Sequence, residues 1–130
     1  MKKILITEDD QKTGAALGIR LKAADYDVQI VPDGLRSYLR AMVWQPDLIL
    51  MDILIPVGNG LEVAQELERA GVGDIPIIFM TASTEKNLKT RAKELNAAGF
   101  FEKPLDTEKL LSAISHALHS KPSTTKKIKK

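Results

Sequence analysis

A short apolar run in the middle of the chain, from Leu48 to Met51, leads directly into Asp52 and is bounded by Pro46 and Pro56. A run of this kind is typical of a strand that is buried on both faces of a parallel sheet. The carboxylate at its end then lies at the carboxyl edge of the sheet, where open α/β folds bind their ligands. A lone aspartate could equally cap a helix or belong to a loop, so the interpretation depends on what else reaches that edge.

Four other apolar segments predict strands, and five segments with apolar residues at helical spacing alternate with the strands. The predicted strands cover residues 3–7, 28–31, 48–52, 77–80 and 98–102, and the predicted helices cover residues 11–24, 35–42, 61–70, 88–95 and 110–118. This alternation predicts right-handed βαβ crossovers, and therefore an α/β fold with one doubly wound, five-stranded parallel sheet between two layers of helices. In the second helix, we expect Leu35, Tyr38, Leu39 and Met42 to form the buried face.

The 130 residues are enough for one domain with a substantial core. Cysteine is absent, which excludes a disulfide framework and a thiolate metal site. No apolar run is long enough to span a membrane, and the short apolar N-terminus runs into acids, so we expect a cytoplasmic protein with no membrane partner.

The charge is divided unevenly along the chain. Five of the 19 basic residues are lysines in the last ten positions, which leaves 14 basic against 17 acidic residues elsewhere. A mildly acidic body is not typical of a nucleic-acid-binding domain. We expect a folded domain over residues 1–120 and a basic, disordered tail or linker over residues 121–130.

Polar side chains follow four of the five predicted strands at the point where each strand ends. Glu8 and Asp9 follow the first strand, Asp52 ends the third, Thr81 follows the fourth and Lys103 follows the fifth. Because the carboxyl ends of parallel strands meet at one edge of the sheet, we expect these five side chains to share one crevice.

The chemistry of this set points to a metal ion and a phosphoryl group. Three carboxylates in close contact repel one another, and a divalent cation removes that conflict. Hard oxygen ligands favour Mg²⁺, with Mn²⁺ as a substitute. The expected ligands are Glu8 or Asp9, directly or through water, together with Asp52 and a backbone carbonyl just beyond Asp52. With Lys103 as a counter-charge and Thr81 as a hydrogen-bond donor, the set suits in-line phosphoryl transfer to Asp52 as the nucleophile.

The chain resembles the receiver domains of bacterial two-component response regulators from residue 1 to about residue 120. Each matching segment is a weak signal alone, but their order and spacing together are specific. The segments are Ile4–Asp9, Pro46–Asp52, Pro56 with Asn59 and Gly60, Ile75–Ala82, and Phe100–Pro104. The resemblance implies a flavodoxin-like fold with strand order 2-1-3-4-5.

The resemblance also implies roles for single residues. Glu8 and Asp9 correspond to the acidic pair that holds Mg²⁺, while Asp10 lies outside the site. Asp52 corresponds to the phosphoacceptor, and Leu54 would give its backbone carbonyl to the metal. In the family, the side chain at the position of Leu54 tunes dephosphorylation, and an apolar side chain cannot orient an attacking water, so we expect a long-lived phosphoryl group.

Three further positions match the part of the family that converts phosphorylation into a change of shape. Lys103 corresponds to the lysine of the site, and the bond between Lys103 and Pro104 is expected to be cis. Thr81 corresponds to the switch hydroxyl and Phe100 to the switching aromatic residue, although Phe100 could equally be a core aromatic with no such role.

The function implied is that of a regulatory switch and not of an enzyme that turns over a substrate. A sensor histidine kinase, a histidine phosphotransfer protein or a small phosphodonor would supply the phosphoryl group, and slow autodephosphorylation would remove it. An unknown downstream target would bind the surface of the fourth helix, fifth strand and fifth helix, and the domain itself would not bind nucleic acid. The alternative is a pseudo-receiver, an interaction module that phosphorylation does not regulate. A phosphatase of the haloacid-dehalogenase type would need an aspartate where this chain has Leu54.

Overall fold

Five parallel strands and five helices alternate along residues 1–119, which are the residues that the computed structural model describes. The strands are β1 (Lys3–Thr7), β2 (Asp27–Val31), β3 (Leu48–Asp52), β4 (Ile77–Thr81) and β5 (Gly99–Glu102). The helices are α1 (Gln11–Ala23), α2 (Gly34–Trp44), α3 (Gly60–Arg69), α4 (Lys86–Glu94) and α5 (Thr107–His119). Every predicted element is present, and the bounds differ by no more than three residues.

The strands form one sheet in the order β2-β1-β3-β4-β5, which confirms the predicted fold. The register aligns the ends of neighbouring strands: Thr7 lies level with Met51, and Asp52 lies level with Met80. Because the chain moves from β1 to one edge of the sheet and returns to β3 on the other side of β1, the crevice between β1 and β3 is the switch point of the topology. The loops after β1 and β3 therefore lie side by side.

Helices cover both faces of the sheet. Apolar side chains of α2, α3 and α4 pack on one face, and those of α1 and α5 pack on the other. All five residues of β3 are buried, as the apolar run from Leu48 to Met51 predicted. Burying each of the four apolar side chains contributes about 2 kcal/mol, which stabilises the strand that carries Asp52.

The prediction for the buried face of α2 is confirmed for Tyr38 and Met42, which pack partly buried against the core, and was wrong for Leu35 and Leu39. Leu35 is 55% exposed and Leu39 is 52% exposed, whereas Gly34, Ser37 and Ala41 face the core. The cause is the close approach of α2 to the loop after β3. A Cβ atom on Gly34 would lie 2.2 Å from the carbonyl oxygen of Val57, so only small residues fit there and the large side chains turn outward.

Asp10 begins α1, because its carboxylate accepts a hydrogen bond from the Thr13 amide at 3.0 Å. Hydrogen bonds from the hydroxyl and the amide of Thr13 lower the pKa of Asp10. Its side chain is thereby committed to the helix end. None of the helices within residues 1–119 is both long and apolar enough to cross a membrane. The predicted basic tail, residues 121–130, lies outside the described residues.

Candidate functional site

Three carboxylates meet at the crevice between β1 and β3. Oxygen atoms of Glu8, Asp9 and Asp52 lie within 4.8 Å of one another. Glu8 and Asp52 are buried, whereas Asp9 is exposed. The cluster is therefore rigid on its inner side and open to solvent on the side of Asp9, an arrangement through which a small ion can enter with part of its water shell.

Lys103 reaches the same cluster from the end of β5. Its Nζ atom donates to Glu8 Oε1 at 2.6 Å and to Asp52 Oδ2 at 2.7 Å. The Lys103 amide also donates to the carbonyl of Thr81 at 2.8 Å, which fixes where the side chain starts. The bond between Lys103 and Pro104 is cis, as the resemblance implied.

The environment shifts the pKa of two of these groups. Burial raises the pKa of Glu8, and the negative charge of Asp52 adds to that effect, while hydrogen bonds from Lys103 and from the Asp10 amide oppose it. Burial by itself would lower the pKa of Lys103, but its hydrogen bonds to Asp52 and Glu8 and their charges outweigh burial and raise it. Lys103 thus stays protonated at neutral pH.

The charge balance of the site fits a divalent cation. When ionised, three carboxylates against one ammonium leave a formal charge of −2. The side-chain atoms that could bind a metal ion are all carboxylate oxygens, which are the ligands that Mg²⁺ and Mn²⁺ prefer. The residues present therefore fit the predicted metal.

The carboxylate of Asp52 is held in one orientation. Its Oδ1 atom accepts from the Leu54 amide at 3.0 Å, while Oδ2 accepts from Lys103. The turn after β3 is fixed by the carbonyl of Ile53, which accepts from the amides of Ile55 and Gly60 at 3.2 and 2.9 Å. The backbone of Leu54 therefore lies against Asp52, while its side chain points to solvent.

The two predicted switch residues lie on neighbouring strands. Thr81 is fully buried, one residue beyond the level of Asp52, and its hydroxyl accepts from the Ser83 amide at 3.0 Å. Phe100 pairs with Phe79 and packs, partly buried, against the layer of α2, α3 and α4. Phe100 thus shares a face of the sheet with α4.

Two features of the site were missed by the sequence analysis. The direct ion pair between Lys103 and Glu8 was not predicted. Beneath the cluster, the hydroxyls of Thr7 and Ser37 lie 2.7 Å apart, and the Ser37 hydroxyl lies 3.8 Å from the sulfur of Met51. This buried contact ties α2 to the ends of β1 and β3. Small residues at positions 34, 37 and 41, at helical spacing, were the available signal.

Comparison with known proteins agrees with this geometry. The family model described as the response regulator receiver domain matches residues 4–115. The chain belongs to this family. Receiver domains are the regulatory domains of response regulators in two-component signalling, so the chain is a regulatory domain.

Curated relatives share the domain but are longer. The DNA-binding dual master transcriptional regulator RpaA of Synechocystis is 35% identical over 115 residues, which cover 88% of this chain and 48% of RpaA. The transcriptional regulatory protein CusR of Escherichia coli is 35% identical over 112 residues, which cover 86% of this chain and 49% of CusR. The chain thus spans about half the length of the curated relatives it matches.

Solved structures of receiver domains superpose on almost the whole fold of this chain. The non-phosphorylated HemR receiver domain of Leptospira biflexa superposes with a TM-score of 0.83 at 27% identity and covers 93% of this chain and 97% of that domain. The BeF3-activated receiver domain of RstA from Klebsiella pneumoniae gives a TM-score of 0.84 at 27% identity, with 92% and 100% covered.

Proposed function

We propose that the domain is a signalling switch in which Asp52 accepts a phosphoryl group in a Mg²⁺-dependent reaction. The observation that carries this proposal is the fixed Asp52 carboxylate between Lys103 and the acidic pair of Glu8 and Asp9. The phosphoryl donor is a sensor histidine kinase, a histidine phosphotransfer protein or a small phosphodonor. The exchange with such a kinase is expected in the cytoplasm.

In the proposed reaction, a carboxylate oxygen of Asp52 attacks the phosphorus atom and the bond from phosphorus to the donor breaks, which leaves an aspartyl phosphate. Lys103 already bonds Asp52 and would transfer that hydrogen bond to a phosphoryl oxygen. Glu8, Asp9, Asp52 and the Leu54 carbonyl would hold Mg²⁺ or Mn²⁺. The bound ion supplies charge neutralisation at the phosphoryl oxygens.

The output of the switch would begin at Thr81. Its hydroxyl now accepts a bond from the Ser83 amide and would turn to donate to the phosphoryl group. That movement frees space for Phe100, which lies on the face of the sheet that α4 covers. We therefore place the docking surface for the unknown downstream target on α4, β5 and α5.

The domain boundaries belong to the same proposal. The family match over residues 4–115 supports a receiver domain over residues 1–120, followed by a basic tail or linker over residues 121–130. The mildly acidic body supports a domain that acts on proteins and does not itself bind nucleic acid.

The decisive experiment is incubation with acetyl phosphate and Mg²⁺ followed by intact-mass measurement. The expected result is the addition of one phosphoryl group, its loss in Asp52→Asn and its retention in Asp47→Asn. Asp47 is the matched control because it precedes the same strand and bonds the Lys3 amide at the opposite edge of the sheet. No added mass in the unaltered protein would favour the pseudo-receiver instead.

The metal ligands can be tested without phosphorylation. Paramagnetic Mn²⁺ should broaden the amide NMR signals of residues 8–9 and 52–54 in the full chain. Asp9→Asn should weaken binding, whereas Asp10→Asn should not, because Asp10 is committed to the end of α1. Equal loss in both variants would contradict the proposed ligand set.

The lifetime of the phosphoryl group depends on position 54. The exposed Leu54 side chain offers no polar atom to an attacking water, so slow phosphate loss is expected. A time course after removal of the donor measures this. Fast loss of phosphate from the unaltered protein, slowed sharply by Leu54→Ala, would contradict the expected long lifetime.

The switch step has its own test. Thr81→Ala should keep phosphorylation at Asp52 but reduce the accompanying change in NMR shifts of β5 and α4. Shifts of the same size as in the unaltered protein would argue against the role of Thr81.

A further inference from the structure

The outer side of α2 exposes a stripe of apolar side chains. Leu35, Leu39 and Val43 follow one another at four-residue spacing and are 55%, 52% and 82% exposed. Val57, in the loop after β3, is 64% exposed. Of the eight large apolar side chains exposed within residues 1–119, these four form one surface, called here the α2 face. Clustering of this kind marks an interaction site, whereas scattered apolar residues do not.

A groove lies next to the stripe, between α2 and α3. Its volume is about 630 Å³, and Leu35, Tyr38, Val57 and Val63 contribute its apolar lining. The groove extends the apolar area from one helix to two, so that the α2 face can receive a helix from another molecule.

Charges of opposite sign border the apolar area. Arg36 and Arg40 follow the stripe on the side of α2 that points away from α3, while Glu62 and Glu66 line the groove on α3. Local pairs compensate part of this charge, since Arg36 lies 3.7 Å from Asp33 and Glu66 lies 2.6 Å from Arg69. Arg40 has no ion pair within residues 1–119.

We propose that the α2 face binds the α2 face of a second copy of this chain in a two-fold symmetric dimer. A rotation by 180° about an axis that lies in the interface and runs along the stripe brings apolar surface against apolar surface. The same rotation brings the basic border of one copy onto the acidic border of the other, so the face is complementary to itself. A segment that follows α5 is a poorer occupant, because α5 packs on the opposite face of the sheet.

The α2 face is already fixed without a phosphoryl group. The Gly34 amide donates to the Pro56 carbonyl at 3.0 Å, and the hydroxyls of Ser37 and Thr7 join α2 to the end of β1. The proposed dimer therefore needs no phosphoryl group, and we expect a weak dimer with a dissociation constant between about 10 µM and 1 mM.

The test is sedimentation equilibrium of the full chain, without Mg²⁺ or phosphodonor, from about 10 µM to about 1 mM. The expected result is a concentration-dependent dimer that Leu39→Asp abolishes. Ile19→Asp is the matched control, because Ile19 is 69% exposed but lies on α1, on the opposite side of the sheet. It should dimerise like the unaltered protein. Val43→Asp provides a second disrupting variant if the circular dichroism of Leu39→Asp shows a folding defect.

Charge reversal tests the symmetry. Arg40→Glu and Glu66→Arg should each weaken the dimer by about tenfold, and the double variant should recover most of the loss. A protein that stays monomeric over the whole range would overturn the proposal, as would equal weakening by Leu39→Asp and Ile19→Asp. A double variant that fails to recover would exclude the two-fold arrangement. None of these outcomes depends on phosphorylation of Asp52.

Discussion

Two loops leave the candidate site, and they anchor the helices that follow them very differently. After β3, Asn59 and Glu62 form a capping box at the start of α3, with hydrogen bonds of 3.0 and 3.2 Å. After β4, the residue at the start of α4 is Glu85, which makes no side-chain cap hydrogen bond. Five residues of α3 are buried, but only Leu88 and Ala92 of α4 are.

This contrast indicates which side of the site can move. A helix with a satisfied cap and a broad buried face opens rarely, whereas a poorly capped helix with few buried residues opens at low cost. Within residues 1–119, the Thr81 hydroxyl is bonded only to the Ser83 amide of its own loop, whereas the hydroxyl of Thr7, at the matching position of β1, is bonded to Ser37 of a packed helix. New charge at Asp52 should therefore shift α4 and leave α3 in place.

The largest expected effect on stability is that of Gly34→Ala, which disturbs the loop after β3, on the side of the site where α3 is firmly anchored. The added Cβ atom would lie 2.2 Å from the Val57 carbonyl oxygen and 2.7 Å from that of Gly58, so the loop after β3 must move. We expect a loss of about 3 kcal/mol in the free energy of unfolding, measured in urea. Gly14→Ala on α1 is the control, since its nearest neighbour is the Ile30 side chain at 3.3 Å, and it should change stability by less than about 1 kcal/mol. Equal losses would show that the loop is not a rigid support.

Amide hydrogen exchange compares the two helices directly. The core amides of α4 should exchange about tenfold faster than those of α3, which corresponds to about 1.4 kcal/mol in opening free energy. The measurement needs only the unaltered protein and NMR assignments. Slower exchange in α4 than in α3 would contradict the conclusion that α4 opens more readily than α3.

A pair of cap substitutions sharpens the comparison. Asn59→Ala removes the side-chain bond to the Glu62 amide and should cost about 1 kcal/mol. Glu85→Ala removes no cap bond and should stay within about 0.5 kcal/mol. Thermal unfolding of both variants provides the values, and a larger cost for Glu85→Ala would count against the contrast.

The smallest expected effect is a gain. Glu85→Ser supplies the missing cap acceptor at the start of α4 and should stabilise the protein by about 0.5 kcal/mol. The gain should appear as slower exchange confined to α4, with α3 unchanged. If the cap instead slows exchange throughout the protein, the two helices open together and not separately.

Most of the fold was predictable from the sequence because each element carried its own signal. The apolar run before Asp52 predicted a buried strand, and alternation with helical segments predicted the parallel sheet. The gathering of Glu8, Asp9, Asp52 and Lys103 followed from topology alone, because parallel strands end at one edge. Their roles in phosphorylation stay predictions, while their proximity is confirmed by the distances in the structure.

The exposure of Leu35 and Leu39 on α2 was not predictable, because apolar periodicity shows which residues are apolar and does not show which neighbours they pack against. Leu35 and Leu39 are spaced like core residues, but the backbone of residues 57 and 58 occupies the space beside Gly34. The one trace of this contact in the sequence is the helical spacing of the small residues Gly34, Ser37 and Ala41. The hydroxyl pair of Thr7 and Ser37 was missed because two polar residues 30 positions apart give no local pattern.

The bond between Lys103 and Glu8 joins positions that are 95 residues apart. During synthesis, the acids emerge from the ribosome long before their counter-charge, and a chain released before residue 103 keeps the carboxylates without the ammonium that balances them. The charge balance of the site is thus a property of the whole domain and not of the loops after β1 and β3 alone.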